Sequence, residues 1–330
     1  MGRSPGQLAI GPMSAERRGL LLALTAIMAL LIIAGVVRVV SSDNAPDEGR
    51  PVVARSTDGT EPLRVAPRRP PPPRVPGRIF DDGRFLVAYY GTAQTGALGV
   101  LGETGPDQAF ARLKRAAAPF ARPQQPVRLV FELIVTVADA TPGVDGDFNH
   151  DIARAEVEQY VEAARRHGVL LLLDVQPGRD SLLDVAKRWA WALRDPGVGL
   201  AVDPEWRMGR HDVPGRVIGS VDAPEVNRVT KWLVTLQEKH RLPQKLFVLH
   251  QFRTDMIEHI GQVQERPTLA MVQHVDGFGT PSQKRATYHA VARPKKFVMG
   301  FKLFYDEDTD LLNPTEVHRI RPKVRFVSFQ

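Results

Sequence analysis

The chain has 330 residues, no cysteine and a formal net charge of +7. Without cysteine it has neither disulfides nor a lipid-modified thiol, so whatever folds must be held by its own core. Residues 1–78 carry 11 Lys+Arg against 6 Asp+Glu, and the remainder 33 against 31. The basicity therefore belongs to the N-terminal segment, and a nucleic-acid-binding body loses its electrostatic support.

Residues 1–18 read as a cytoplasmic tail. Residues 19–37 are rich in Leu, Ala and Ile and contain no charge. About 20 apolar residues span a bilayer, so 19–40 reads as a transmembrane signal anchor. Arg3, Arg17 and Arg18 precede it, which places the N-terminus in the cytoplasm and the body outside the cell membrane. A cleaved signal peptide is the competing reading, but the segment ends without a small-x-small site. Residues 41–78 read as a disordered linker, with Pro67, the prolines at 70–73 and Pro76 set among Arg68, Arg69, Arg74 and Arg78.

From residue 79 short apolar runs alternate with amphipathic stretches, the pattern of βα units around a parallel sheet. Strands are expected at 85–90, 127–135, 169–174, 198–203, 245–250, 268–275, 297–303 and 324–329. Helices are expected at 106–118, 151–167, 180–194, 222–240, 252–262, 281–292 and 314–319. Asp222-Ala-Pro-Glu225 has the spacing of a capping box. Eight strands in about 250 residues predict an α/β fold, a (β/α)8 TIM barrel over 79–330. An open doubly wound sheet is the alternative. It would more often carry a Gly-rich turn after its first strand, and Tyr90-Gly91-Thr92 is none.

Several apolar runs end abruptly in polar groups. Gly199-Leu-Ala-Val ends in Asp203-Pro-Glu205-Trp206, Leu170-Leu-Leu-Leu in Asp174-Val-Gln176, and Leu246-Phe-Val-Leu in His250-Gln251-Phe252. Gln273 is followed by His274-Val-Asp276, and Phe301 by Lys302. Barrel enzymes gather their chemistry at the carboxyl ends of the strands. Residues i and i+2 of a strand share a face, so Asp203 and Glu205 are expected to project together. Strand starts are rich in Arg and Lys, whereas the ends bring Glu132, Asp174, Asp203, Glu205 and Asp276 with aromatics. An acidic, aromatic mouth suits a neutral sugar or a cation better than a phosphate.

Glycoside cleavage commonly uses two carboxyl groups, one protonated and one ionised. Glu205 is the expected general acid, with Asp203 and Asp174 as base, nucleophile or orienting group. Tyr89, Tyr90, Glu132, Gln176, Trp206, His250, Gln251, Phe252, His274, Asp276, Lys302 and Tyr305 are the expected substrate-binding residues. The rival roles are simpler: Asp203 caps the following loop, Glu205 pairs with Arg207, and Lys302 pairs with a carboxylate. No cofactor or metal is expected, although His250 and His274 with the neighbouring carboxylates leave a metal-dependent hydrolase open. A lysine-dependent lyase at Lys302 is a further rival.

Residues 79–330 resemble actinobacterial membrane-anchored envelope proteins in Asp-Val-Gln-Pro-Gly (174–178), Asp-Pro-Glu-Trp (203–206), His-Gln-Phe (250–252) and Gly-Phe-Lys-Leu-Phe-Tyr-Asp (300–306). More distantly the barrel is similar to chitinase-like and lysozyme-like glycoside hydrolases, which place Asp-x-Glu at the end of the fourth strand. That similarity implies Glu205 as the acid and Asp203 as the assisting group. Ala201 departs from the longer chitinase pattern, which has an Asp there. The expected function is a glycosidase acting on a cell-envelope polysaccharide, with no nucleic-acid partner and the bilayer engaged through 19–40. A non-catalytic glycan-binding barrel is the alternative.

Overall fold

Eight runs with almost no exposed side chain become eight parallel strands in the computed structural model, which describes residues 78–93 and 95–330. Numbered along the chain, the long strands are β1 (Phe85–Gly91), β2 (Val127–Ala138), β4 (Leu170–Val175), β5 (Val198–Val202), β7 (Lys245–His250), β9 (Leu269–Val275), β10 (Val298–Leu303) and β11 (Val324–Phe329). They pair in that order, and β1 pairs with both β2 and β11, so the sheet closes on itself. This is the TIM-type barrel that the strand count predicts. Three short strands lie outside it: β3 (Asn149–Asp151), antiparallel to the end of β2, and the pair β6 (Val221–Asp222) and β8 (Ile257–Glu258).

A strand buried on both faces fills two cores. Leu86, Ala88, Val130, Leu172, Ala201, Val248 and Phe326 are among the residues that pack inside the barrel. Their alternating neighbours, such as Phe85, Val87, Phe131, Leu173 and Phe247, pack against the surrounding helices. Those helices are α1 (Pro106–Ala117), α2 (Arg154–His167), α3 (Leu182–Arg188), α4 (Ala190–Leu193), α5 (Ala223–His240), α6 (Pro281–Val291) and α7 (Pro314–Arg319). Ser181, Asp222, Thr280 and Asn313 start four of them, each side chain accepting a backbone N–H three residues on. Asp222 is a one-way cap rather than a full box, because the Glu225 carboxylate turns instead to the Leu182 N–H and to Arg207.

Two helix expectations change. The stretch 180–194 is broken at Trp189 (φ −94°, ψ 7°), whose indole N–H donates to Thr136 Oγ1 at 2.9 Å. The helix expected at 252–262 does not form. Met256 Sδ lies 3.3 Å from the backbone nitrogens of Phe252 and Arg253, Ile257–Glu258 joins β6, and only a 3-10 turn follows at Ile260–Gln262. Met256, Ile257, Ile260 and Val263 are buried, so the apolar spacing serves loop packing. Among the described residues no helix is long and apolar enough to cross a membrane. The expected tail, anchor and nearly all of the linker, residues 1–77, lie outside the described residues.

Gly199 shows how closely the barrel strands approach. A Cβ there would stand 2.4 Å from the Leu246 carbonyl oxygen, a backbone atom with little room to yield. Gly199→Ala is therefore expected to lower unfolding free energy by about 1–3 kcal/mol. Gly261→Ala, with no atom within 4 Å of the added carbon, is expected to change it little. Urea denaturation of both variants checks the contrast.

Candidate active site

Alternation along each strand decides which polar residue enters the barrel. The last inward positions are Tyr90 on β1, Glu132 on β2, Asp174 on β4, His250 on β7, His274 on β9 and Lys302 on β10, with Asp203 just beyond β5 and Asp276 just beyond β9. All eight side chains are buried, Glu132, Asp174, His250 and His274 completely. They form a polar ring on top of the apolar barrel interior.

His250 sits at its centre. Its Nδ1 lies 2.8 Å from Asp276 Oδ2, and its Nε2 lies 3.2 Å from Glu132 Oε1 and 3.8 Å from Asp174 Oδ2. Burial works against a charge on this ring, but the bonds to Asp276 and Glu132 and the charge of Asp174 outweigh it and hold the imidazole well above its usual range. Both nitrogens then donate, and His250 is a cation inside the barrel. Burial also opposes ionisation of Asp276, yet the hydrogen bond from His250 and its charge keep this carboxyl below the usual range. His274 is the opposite case. Burial and then the nearby His250 charge push it well below its usual range, so it is neutral, with Nε2 2.7 Å from Ser328 Oγ. Gly300 makes room for it: a Cβ there would fall 2.2 Å from His274 Nδ1.

β5 ends at Val202. Asp203 leads into a 3-10 turn, Pro204–Trp206, so Glu205 reaches the ring through that turn and not as the next residue of a strand face. Asp203 makes no cap bond, and Arg207 pairs with Glu225 at 3.1 Å instead of with Glu205. The simpler roles for this pair are thus absent. Burial raises the Asp203 carboxyl well above its usual range, and the charge of Glu205 adds to it. Glu205 keeps partial contact with solvent, yet desolvation followed by the Asp276 charge pushes it up to about 7. Asp174 is raised by burial and by Glu132, against the opposing charge of His250. Glu205 is poised to hold or release a proton near neutrality.

Lys302 Nζ donates to Gln330 Oε1 at 3.0 Å and lies 3.5 Å from the centre of the Tyr90 ring. Ser328 and Gln330 are the partners the sequence reading missed; alternation from Phe326 gives their inward facing, though not which residues they meet. Gln176 Oε1 accepts the Ala138 N–H at 3.1 Å, and its Nε2 lies 3.4 Å from the Tyr90 hydroxyl, behind the ring. Trp206 is partly exposed on the turn beside Glu205.

Four expected binding residues stand elsewhere. Tyr89 precedes the inward Tyr90 and therefore faces out, edge-on to Phe329. Tyr305 stacks on Phe329, and with Tyr89, Glu103, Arg112 and Asp306 it lines a separate cavity of about 320 Å³ beside the ring. Gln251, next to the inward His250, turns outward and accepts from Gln273 Nε2 at 2.6 Å. Phe252 packs on the outer core.

Beyond the His250–Glu132 contact, the ring holds buried polar atoms without a hydrogen-bond partner: Glu132 Oε2, both carboxylate oxygens of Asp174, one each of Asp203 and Asp276, and His274 Nδ1. Buried polar groups are ordinarily satisfied, so these atoms have hydrogen-bonding capacity left over inside the barrel. Among the described residues no group of three or more His, Asp or Glu is arranged to hold a metal ion. The chain matches no protein-family model and no curated protein sequence.

The raised Glu205 carboxyl has a measurable consequence. A carboxyl that binds its proton more tightly when folded contributes most below its ordinary pKa of 4.5, and that contribution is lost as pH rises through 7. Glu205→Gln removes the loss. The variant is expected to match wild type near pH 4 and to exceed its stability near pH 8 by on the order of 3 kcal/mol. Urea melts across that range check it, and equal stabilities at both ends would contradict the shift.

Proposed function

We propose that the chain is a glycoside hydrolase, anchored in the cell membrane through residues 19–40, with its barrel outside the cytoplasm and a cell-envelope glycan as substrate. The observation that carries this reading is Glu205: a carboxyl at the mouth of a barrel, pushed up to about 7, beside a ring of carboxyls with unpartnered oxygens. A general acid works best when its pKa lies near the working pH.

Glu205 gives its proton to the glycosidic oxygen as the carbon–oxygen bond breaks, and the alcohol leaves. Positive charge builds at the anomeric carbon, Asp174 stabilises it or directs water onto it, and Asp203, which holds a proton, orients the reacting groups. The open oxygens of Glu132 and Asp174 accept sugar hydroxyls. The likeness to chitinase-like and lysozyme-like barrels agrees with this assignment of Glu205 and Asp203. Ala201, an apolar interior residue here, takes the place of the further Asp of the chitinase pattern. Lys302 donates to Gln330 and sits over the Tyr90 ring, contacts that hold it in place rather than present it as a nucleophile. A second reading, a glycan-binding barrel without catalysis, draws on the near-complete burial of the ring and on Phe278, 60% exposed near the strand ends.

The test uses the full chain, wild type and Glu205→Gln, with envelope polysaccharides and a reducing-end assay. Wild type is expected to release new ends and the variant to lose at least about 100-fold. Equal rates would remove Glu205 from the role of acid. Polymer retained by both proteins with no release by either would establish the binding module instead.

A further inference from the structure

The ring above the barrel interior is short of positive charge. Glu132, Asp174, Asp203, Glu205 and Asp276 face two basic side chains that can carry it, His250 and Lys302. Both are already engaged, His250 with Asp276 and Glu132, and Lys302 with Gln330 and the Tyr90 ring. The hydrogen-bonding capacity left over has one character. Glu132 Oε2, both oxygens of Asp174, Asp203 Oδ1 and Asp276 Oδ1 are buried acceptors without a partner. These four residues are at most 6% exposed.

Acceptors in excess, on carboxyls in excess, select for a particular chemical group. A hydroxyl brings one proton to donate and two lone pairs that need donors in turn. A primary ammonium brings three donors, no acceptor and a positive charge. It is also a compact point charge, so only the amino group has to enter while its carrier stays outside. Glu205 and Trp206, on the turn after β5, are partly exposed and lead from solvent to the ring.

We propose that the ring is a binding site for the ammonium group of an amino sugar, held by Asp203 and the open oxygens of Asp174 and Asp276. This rests on the glycan reading of the same ring and narrows it to a polymer with free, unacetylated hexosamine. Glu205 and Trp206 stand where the sugar itself lies.

In the free protein, protons make up the missing charge. Asp203 faces Glu205, Asp174 on β4, His250 on β7 and Asp276 beyond β9, and burial with the Glu205 charge favours its protonated form. The ammonium takes the place of that proton. Asp203 ionises against it, one proton leaves to solvent, and the net charge of the ring is unchanged. Glu205 therefore keeps its own proton while the sugar is bound. Acetylation of the amine removes the charge and puts an amide carbonyl beside acceptors that stay unpaired, which is unfavourable.

Thermal unfolding of the full chain in neutral detergent at pH 6 is followed with oligomers of glucosamine and of galactosamine. The controls are their N-acetylated counterparts, a glucose oligomer and methylammonium chloride. Wild type is expected to gain about 2–6 °C in Tm with an amino-sugar oligomer and nothing from the controls. Asp203→Asn keeps the shape and the neutral charge of the free state, and it is expected to lose the gain. Independently of any variant, calorimetric titration in two buffers of different ionisation enthalpy should show about one proton released per amine bound. No gain with either amino sugar overturns the site, as does an equal gain with the acetylated or glucose oligomers. An equal gain in Asp203→Asn, or binding without proton release, overturns it too. A gain as large with methylammonium shows an amine pocket that does not read sugar and overturns the amino-sugar assignment. The hydrolase reading fails separately: a gain without release of reducing ends removes the hydrolase and leaves the amine site. Release of ends from neutral glycans with no gain does the reverse.

Discussion

A charged histidine inside the barrel sets the terms for everything around it. His250 is fully buried, and a buried charge is tolerable only beside opposite charge. Asp276 and Glu132 supply it directly. Three carboxyls remain, Asp174, Asp203 and Glu205, and of the ring's basic side chains only Lys302 is left to balance them, because His274 is neutral. Five carboxyls against two cations cannot all ionise in a desolvated space. The protons collect on Asp203 and Glu205, which are not among the carboxyls in contact with His250. Desolvation first, and then the Asp276 charge, favour the protonated form of Glu205.

The fold holds this balance through connections some distance from it. The Arg207 side chain bonds Glu225 and the carbonyls of Arg179 and Met208, which fixes the segment after the Glu205 turn. Behind Asp174, Arg188 is ringed by Asn149, Asp147, Asp151 and Asp180. That knot binds β3 and its loop to the start of the segment after β4. Asn149 then donates to the Pro177 carbonyl, and Gln176 bonds Ala138. The strand ends are stiff because the loops beyond them are bonded to one another, not only to the barrel.

The barrel was legible in the sequence because fully buried strands leave uninterrupted apolar runs, and every one of the eight stands where it was expected. The helix at 252–262 was not, since Met256 and Ile260 have helical spacing whether the chain coils or lies folded on a neighbour. The site was legible by type but only partly by direction. Tyr89 and Gln251 flank the inward Tyr90 and His250, and period-two alternation, applied residue by residue, turns them outward. Glu205 was placed by that same alternation, yet it arrives through a turn that begins where β5 stops. The Lys302–Gln330 and His274–Ser328 contacts depend on strand register across the closed barrel, which no local pattern contains.

The charge difference between the barrel's two ends needs dividing into its causes. Helices in this architecture run opposite to the strands, so their positive N-termini lie near the mouth and their negative C-termini near the base. Asp107, Glu156, Asp184, Glu225 and Glu316 occupy first turns, and Lys114, Arg115, Arg165, Arg166, Lys239 and Arg319 last turns. Each such placement opposes the partial charge of its helix end and is favourable. Much of the sign pattern seen at the strand boundaries is therefore dipole compensation and carries no functional meaning. The residue is what matters. Glu132 and Asp174 lie on strands, where no dipole rewards them, and Asp203 leads a turn too short to form a helix N-terminus. Charges that no helix dipole accounts for, drawn inward at the carboxyl ends of the strands, set the ring apart from the rest of the sign pattern.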